Sequence, residues 1–413
     1  MTGLHAESGA ATGTGDRSRP RGVLAALCAT QVTSWGIVYY AFPVLGARIT
    51  ADTGWPATST AAAFSGALLV SAVVGIPVGR ILDRRGPRAV MTFGSALGAT
   101  AVLLIAYAPN LAFFTAAWLL AGVAMAATFY QPAFAAVTRW WGPDRVRALT
   151  IVTLAGGLAS TAFAPLTAIL AEHLSWRTTY AVLAAILAAV TIPAHVLSLR
   201  APWPPAPPHP AQQPNGSGPV ARSSAFRLLA AAFALNGFAM YAVVFGMVPL
   251  MTERGADPTT AAWALGLGGA GQTLGRTLYA ALARRTGVTT RTVALIVAGG
   301  ATTAALALVP GPIALLVALA IAAGMVRGNL TLLQATTVTD RWGTTHYGRL
   351  SGLLAAPSTI AAALAPWAGA SLAAALGGHP TLFLVLAAAS GTAAVLAWRA
   401  TGSELPEDQG RSG

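Results

Sequence analysis

Gly79-Arg80-Ile81-Leu82-Asp83-Arg84-Arg85-Gly86-Pro87-Arg88 separates two long apolar runs, and its reading decides the fold. Five of these ten residues are charged, in a chain where only 9% are. The runs on either side are each about twenty residues long, enough to cross a bilayer as a helix. The stretch is therefore a tight basic loop between two membrane spans. Outward from it the same alternation continues. Apolar spans are expected at 23–47, 57–81, 88–107, 111–137, 148–171 and 178–199, and again at 226–250, 259–283, 290–309, 312–338, 348–374 and 380–399. A water-soluble protein carries roughly a quarter charged residues. This chain, 55% apolar, cannot coat a soluble surface, so a soluble enzyme is excluded.

The expected architecture is all-α and integral to the membrane, with twelve transmembrane helices in two pseudo-symmetric six-helix bundles. Residues 23–199 form the first bundle and 226–399 the second, flanked by tails at 1–22 and 400–413. Residues 200–225 are a proline-rich linker with Gln, Asn, Gly and Ser, expected to be extended and solvated. The halves repeat. Gly79-Arg80 is followed by Arg84-Arg85, and Gly275-Arg276 by Arg284-Arg285, two parallel units whose shared site lies between them near mid-membrane.

The net charge of +13 does not point to nucleic acid. All 25 basic residues are arginines, and they gather on one side of the spans. Only Arg48, Arg177 and Arg254 fall on the other. The positive-inside rule then puts both termini and the linker in the cytoplasm, in an inner (plasma) membrane. With no lysine, Schiff-base chemistry is unavailable, and Cys28 stands alone within the first span. No cofactor and no metal are expected. The expected partners are a bilayer and a small-molecule substrate, with the protein a monomer.

The quoted stretch closely resembles the G-x-x-x-D-R-x-G-R-R/K signature of the major facilitator superfamily, departing only at Pro87. It lies where that family has it, between helices two and three. The resemblance implies two bundles that rock about a central cavity, moving a solute by alternating access. Gly79, Asp83, Arg84, Gly86 and Arg88 then form a conformational latch, the glycines allowing close helix approach and a tight turn. Asp83 is expected at the start of the eleventh helix, around Arg349–Gly352, where the helix dipole favours a carboxylate. Tyr130-Gln131-Pro132, Arg139-Trp140-Trp141, Arg145-Val146-Arg147, Gly156-Gly157, Ala164-Pro165 and Ser175-Trp176-Arg177 further resemble the monocarboxylate and oxalate–formate branch. The Gly-Pro pair of drug antiporters is replaced by Ala164-Pro165.

All twelve acidic residues fall in tails, loops or helix ends, which disfavours a proton relay through a buried carboxylate. Arg327 and Arg276 do lie deep, Arg327 about fifteen residues into its span at ~1.5 Å per residue. Charge inside a membrane is expensive and marks function. Arg276, which the resemblance matches to a carboxylate-binding arginine on helix eight, and Arg327 are therefore the expected anion ligands. Tyr39, Tyr40, Tyr130, Gln131, Asn236, Tyr241, Gln272 and Asn329 are the uncharged candidates at similar depth. Gln272 stands where monocarboxylate carriers have an acid. The expected function is secondary transport of a small carboxylate-type anion. The alternatives are a drug or metabolite efflux carrier and, outside transport, a membrane receptor; no paired carboxylates or buried His/Asp support an enzyme.

Overall fold

A computed structural model describes residues 22–204, 218–342 and 347–400. The tails at 1–21 and 401–413 and the linker stretch 205–217 lie outside it. Among the described residues all regular structure is helical. Twelve long helices run α1 (Val23–Thr53), α2 (Ala57–Arg85), α3 (Pro87–Ala106), α4 (Leu111–Trp141), α5 (Arg145–His173) and α6 (Trp176–Ser198). The second half has α7 (Ser224–Glu253), α8 (Pro258–Arg285), α9 (Val288–Leu308), α10 (Ile313–Trp342), α11 (Tyr347–Leu376) and α12 (His379–Arg399). Eleven are long and apolar enough to cross a membrane by length and composition. The other is α8, where Gly266, Gly268, Gly269, Gly271 and Gly275 join Gln272 and Arg276 in place of large apolar residues.

Both α2 and α8 run further than hydropathy suggests. Their Arg84-Arg85 and Arg284-Arg285 pairs lie in the last helical turn rather than in loops, where cations oppose the negative end of the helix dipole. Gly86, at φ +77°, then makes the sharp turn into α3, with Pro87 at its first position.

Three helices of the first half are irregular, two of them inside the spans expected at 111–137 and 148–171, each of which still reads as one span by length and composition. A π-helical stretch, Gly36–Tyr40, interrupts α1. At Phe129 (φ −75°, ψ −160°) α4 breaks, and at Leu158 α5 breaks. Backbone groups freed at such breaks must find partners inside a bilayer. Buried Gln31 supplies one: its Nε2 donates to Thr128 O at 2.7 Å and Phe129 O at 3.4 Å.

Glycine sets how closely helices meet. A Cβ at Gly122 of α4 would collide with the Ala67 carbonyl of α2, a close helix contact that only a small residue allows. Between α8 and α10 the approach is closer along its length. Cβ atoms at Gly271, Gly275, Gly324 and Gly328 would collide with carbonyls of Ile321, Met325, Gly268 and Gln272. At Gly79, by contrast, a Cβ would meet nothing within 4 Å, so the close approach expected there is not made.

Candidate functional site

The hydrogen bonds described between the halves start at the arginine-poor face, with Thr259 to Glu172, and continue through Thr161 to Gly266 O and Trp367 N to Ser65 Oγ. Deeper, they reach the carbonyls around the break in α5. There Leu158 N bonds Ala155 O, one residue short of the α-helical partner, which frees Leu154 O. The Thr273 hydroxyl approaches Leu154 O at 3.5 Å, and Arg276 Nη1 donates to Thr153 O. So the bend in the first half is bonded by a cation and a hydroxyl of the second.

Gly156 and Gly157 make room for this. A Cβ at Gly156 would strike the Tyr130 hydroxyl, and one at Gly157 would strike Thr273 and Arg276. Tyr130, Gly156-Gly157 and Arg276, well separated in sequence, thus meet at one point. Arg276 is 9% exposed and its Nε is enclosed without a partner.

The structure turns Arg327 elsewhere. Its Nε donates to Gln272 Oε1 at 3.3 Å, its Nη2 is enclosed without a partner, and it lines a cavity inside the second half together with Asn236. The other candidates divide. Tyr39 is buried with an unpartnered hydroxyl and packs edge-on to Tyr40 (5.1 Å) and to Phe245 of α7 (5.2 Å). Gln131 is exposed beside Gly75 of α2. Asn329 bonds its own helix at Met325 O, apart from this constellation.

Sequence reading overlooked Trp35 and Phe245. Trp35 stacks on Phe129 at 4.1 Å and lies 5.2 Å from both Tyr39 and Tyr130. Phe245 joins Phe64 and Tyr39 across the halves. Each stands four residues from a candidate tyrosine on the same helix, one turn away, and that spacing was the available signal.

The basic stretch between α2 and α3 is bound within its own half. Among the described residues Asp83 pairs with Arg139 of α4 and not with the start of α11: its Oδ1 takes an N–H from Arg139 at 3.1 Å. Arg88 Nε donates to Val196 O of α6 at 3.1 Å. The start of the linker is docked here rather than freely solvated. Trp203 packs against Gly86, its Nε1 donates to Asp83 O at 3.1 Å, and the Arg139 guanidinium lies 4.7 Å from its ring centre. Arg139 and Trp140 donate in turn to Pro204 O and Pro202 O. A polar linker with a guanidinium and an indole on its carbonyls, and its own Trp203 bonded to Asp83 O, is better held than its composition suggests. Among the described residues no group of His, Cys, Asp and Glu could hold a metal.

Comparison with known proteins agrees with this arrangement. A curated relative, the uncharacterized MFS-type transporter YcxA of Bacillus subtilis, is 26% identical over 33% of this chain and 33% of that protein. Monocarboxylate transporter 13 of Bos taurus is 36% identical over 25% of this chain and 24% of its own length. The match thus spans a third or less of these relatives. Among solved structures, nucleoside transporter NupG superposes with a TM-score of 0.74 at 15% identity, over 92% of this chain and 99% of that one. A bacterial homologue of the human lysosomal transporter Spinster, inward-facing and occupied, gives 0.72 at 14% identity, over 92% and 96%. Identities this low speak for the fold alone. The family model of the Major Facilitator Superfamily matches residues 27–312 and 228–412, nearly the whole chain, and the protein belongs to that superfamily of membrane transporters.

Proposed function

We propose that the chain is a secondary active carrier of a small organic anion of the carboxylate type, moved by alternating access of its two halves. The observation that supports this most is Arg276. It is nine-tenths buried where the halves meet, and it is bonded to a carbonyl rather than to an acid. The chain's carboxylates all lie in tails, loops or helix ends, so none is at hand to neutralise it. A guanidinium presents a planar fork that matches a carboxylate bidentately, and a poorly solvated site strengthens that pairing. Tyr130 lies beside it at Gly156-Gly157 and Gln272 stands one turn before it on α8; Tyr40 and Tyr241 are the further polar contacts of this reading, and Tyr39 packs edge-on to Phe245. The name of the bovine relative, a monocarboxylate transporter, adds weaker support. The arginine bias supports a plasma-membrane setting with the linker face toward the cytoplasm. Gly86, Asp83, Arg84 and Arg88 belong to the latch that sets the balance of states.

The test is uptake into proteoliposomes against a panel of short carboxylates, with lipophilic cations as the competing class. Arg276→Gln should abolish carboxylate uptake while the protein stays folded in detergent, and Arg276→Lys should recover little because the fork is lost. Normal uptake by Arg276→Gln, or a cationic substrate, would overturn the reading.

A further inference from the structure

Inside the second half, α7, α8, α9, α10 and α12 line a partly open cavity of about 30 Å³. A water needs roughly 10–15 Å³ of such space, so two water-sized particles fit. Its polar lining is uneven. The hydroxyls of Thr302, Thr303 and Ser390 already donate to carbonyls three or four residues back on their own helices, which leaves only their lone pairs free. The donors that remain are the amide of Asn236 (7% exposed) and the guanidinium of Arg327 (8% exposed).

Arg327 has no anionic partner of its own. Its Nε reaches a neutral carboxamide, its Nη2 is enclosed without any partner, and every Asp and Glu of the chain lies in a tail, a loop or near a helix end. A buried cation left uncompensated is strongly unfavourable, so its counter-charge has to come from solution. A carboxylate of even two carbons has four heavy atoms and exceeds the space. A monatomic anion does not. We propose that this cavity binds one halide-sized inorganic anion as the resident counter-ion of Arg327. Asn236 is its second donor, and a single water bridges the ion to the hydroxyl oxygens of Thr303 and Ser390. The site is distinct from Arg276, which faces α5 in the other half, and it does not depend on the organic-anion reading.

The purified full-length chain in detergent tests this through thermal unfolding and equilibrium binding of radiolabelled chloride. Chloride or bromide is titrated against gluconate at constant ionic strength. The expected result is one chloride bound per chain and an unfolding temperature that rises with halide but not with gluconate. Arg327→Gln should lose both effects, while Arg276→Gln keeps them. Should Arg327→Gln fail to fold, two further variants decide. Asn236→Ala should weaken chloride binding by about tenfold, and Ala323→Leu, which fills the cavity, should abolish it. The proposal fails if the unaltered protein shows no halide dependence, as two resident waters would give. It also fails if the dependence survives Arg327→Gln, persists undiminished in both Asn236→Ala and Ala323→Leu, or disappears in Arg276→Gln.

Discussion

The two halves bring different materials to their shared interface. The first contributes rings and bent backbone: the π-helical stretch Gly36–Tyr40, the break at Phe129 beside Tyr130, and the break at Leu158 beside Gly156-Gly157. The second contributes charge on unbroken helices, although α7 and α11 contain Pro249, Pro357 and Pro366. Arg276 and Arg327 ride on α8 and α10, the pair held together by glycines at backbone contact. The difference separates two jobs. A bent helix exposes carbonyls that a partner from the other half can take and release. A straight, glycine-packed pair holds two guanidinium groups at fixed positions, since a site is only as well defined as the elements beneath it.

Their rims differ as well. In the first half Asp83, its side chain 64% accessible, pairs with the largely covered Arg139 (14%), over which Trp203 of the linker is laid. In the second half the order of charges is reversed. Arg291 at the start of α9 donates to Asp340 of α10 at 2.7 Å and to Thr286 O at 3.0 Å, and its side chain is only 5% accessible. One rim is sealed by burial, the other by a strap.

The contrast breaks most sharply at glycine. Gly324→Ala or Gly275→Ala should destabilise the protein by about 3 kcal/mol, because the added methyl meets a backbone carbonyl that cannot move without parting α8 from α10. Gly79→Ala, facing open space, should be neutral or stabilise by about 0.5–1 kcal/mol. Thermal unfolding in detergent compares them, and equal effects would remove the distinction between the packed and the open faces. The rims give the next largest effect. Arg291→Gln strands Asp340 and empties a buried site at a cost of about 3 kcal/mol, whereas Arg139→Gln should cost about 1 kcal/mol because its partner is already in water. Unfolding curves in which Arg139→Gln costs as much would show that the strap, not burial, carries the larger share. Of the charge variants, the smallest change in stability is expected for Asp83→Asn, below about 1 kcal/mol for a carboxylate already in water. Its effect should appear in transport instead, as reduced flux in proteoliposomes at normal expression. Wild-type flux would remove the latch from the account.

Much of this was open to reading before any coordinates. A bilayer asks for about twenty apolar residues per crossing, so the twelve helices are written as hydropathy. Even α8, the least apolar and not among the eleven apolar enough to cross by composition, is foreshadowed by the span expected at 259–283. The depth of Arg276 and Arg327 follows from counting at a fixed rise, and their isolation from any acid follows from where the twelve acids stand.

What the sequence could not decide were directions and breaks. Pro77, Pro249 and Pro357 sit within helices that continue through them, while α4 breaks at Phe129, where Pro132 has no N–H to give the Thr128 carbonyl, and α5 breaks at Leu158 with no proline one turn beyond it. Those breaks hold because groups distant in sequence, Gln31 in one case and Thr273 with Arg276 in the other, take up the freed carbonyls. Counting residues also could not say that Arg276 turns to the opposite half while Arg327 lines a cavity in its own, or that Asp83 would pair with Arg139. Depth is a property of one helix and its rise. Facing is a property of which helices lie beside it, and only the packed bundle supplies that.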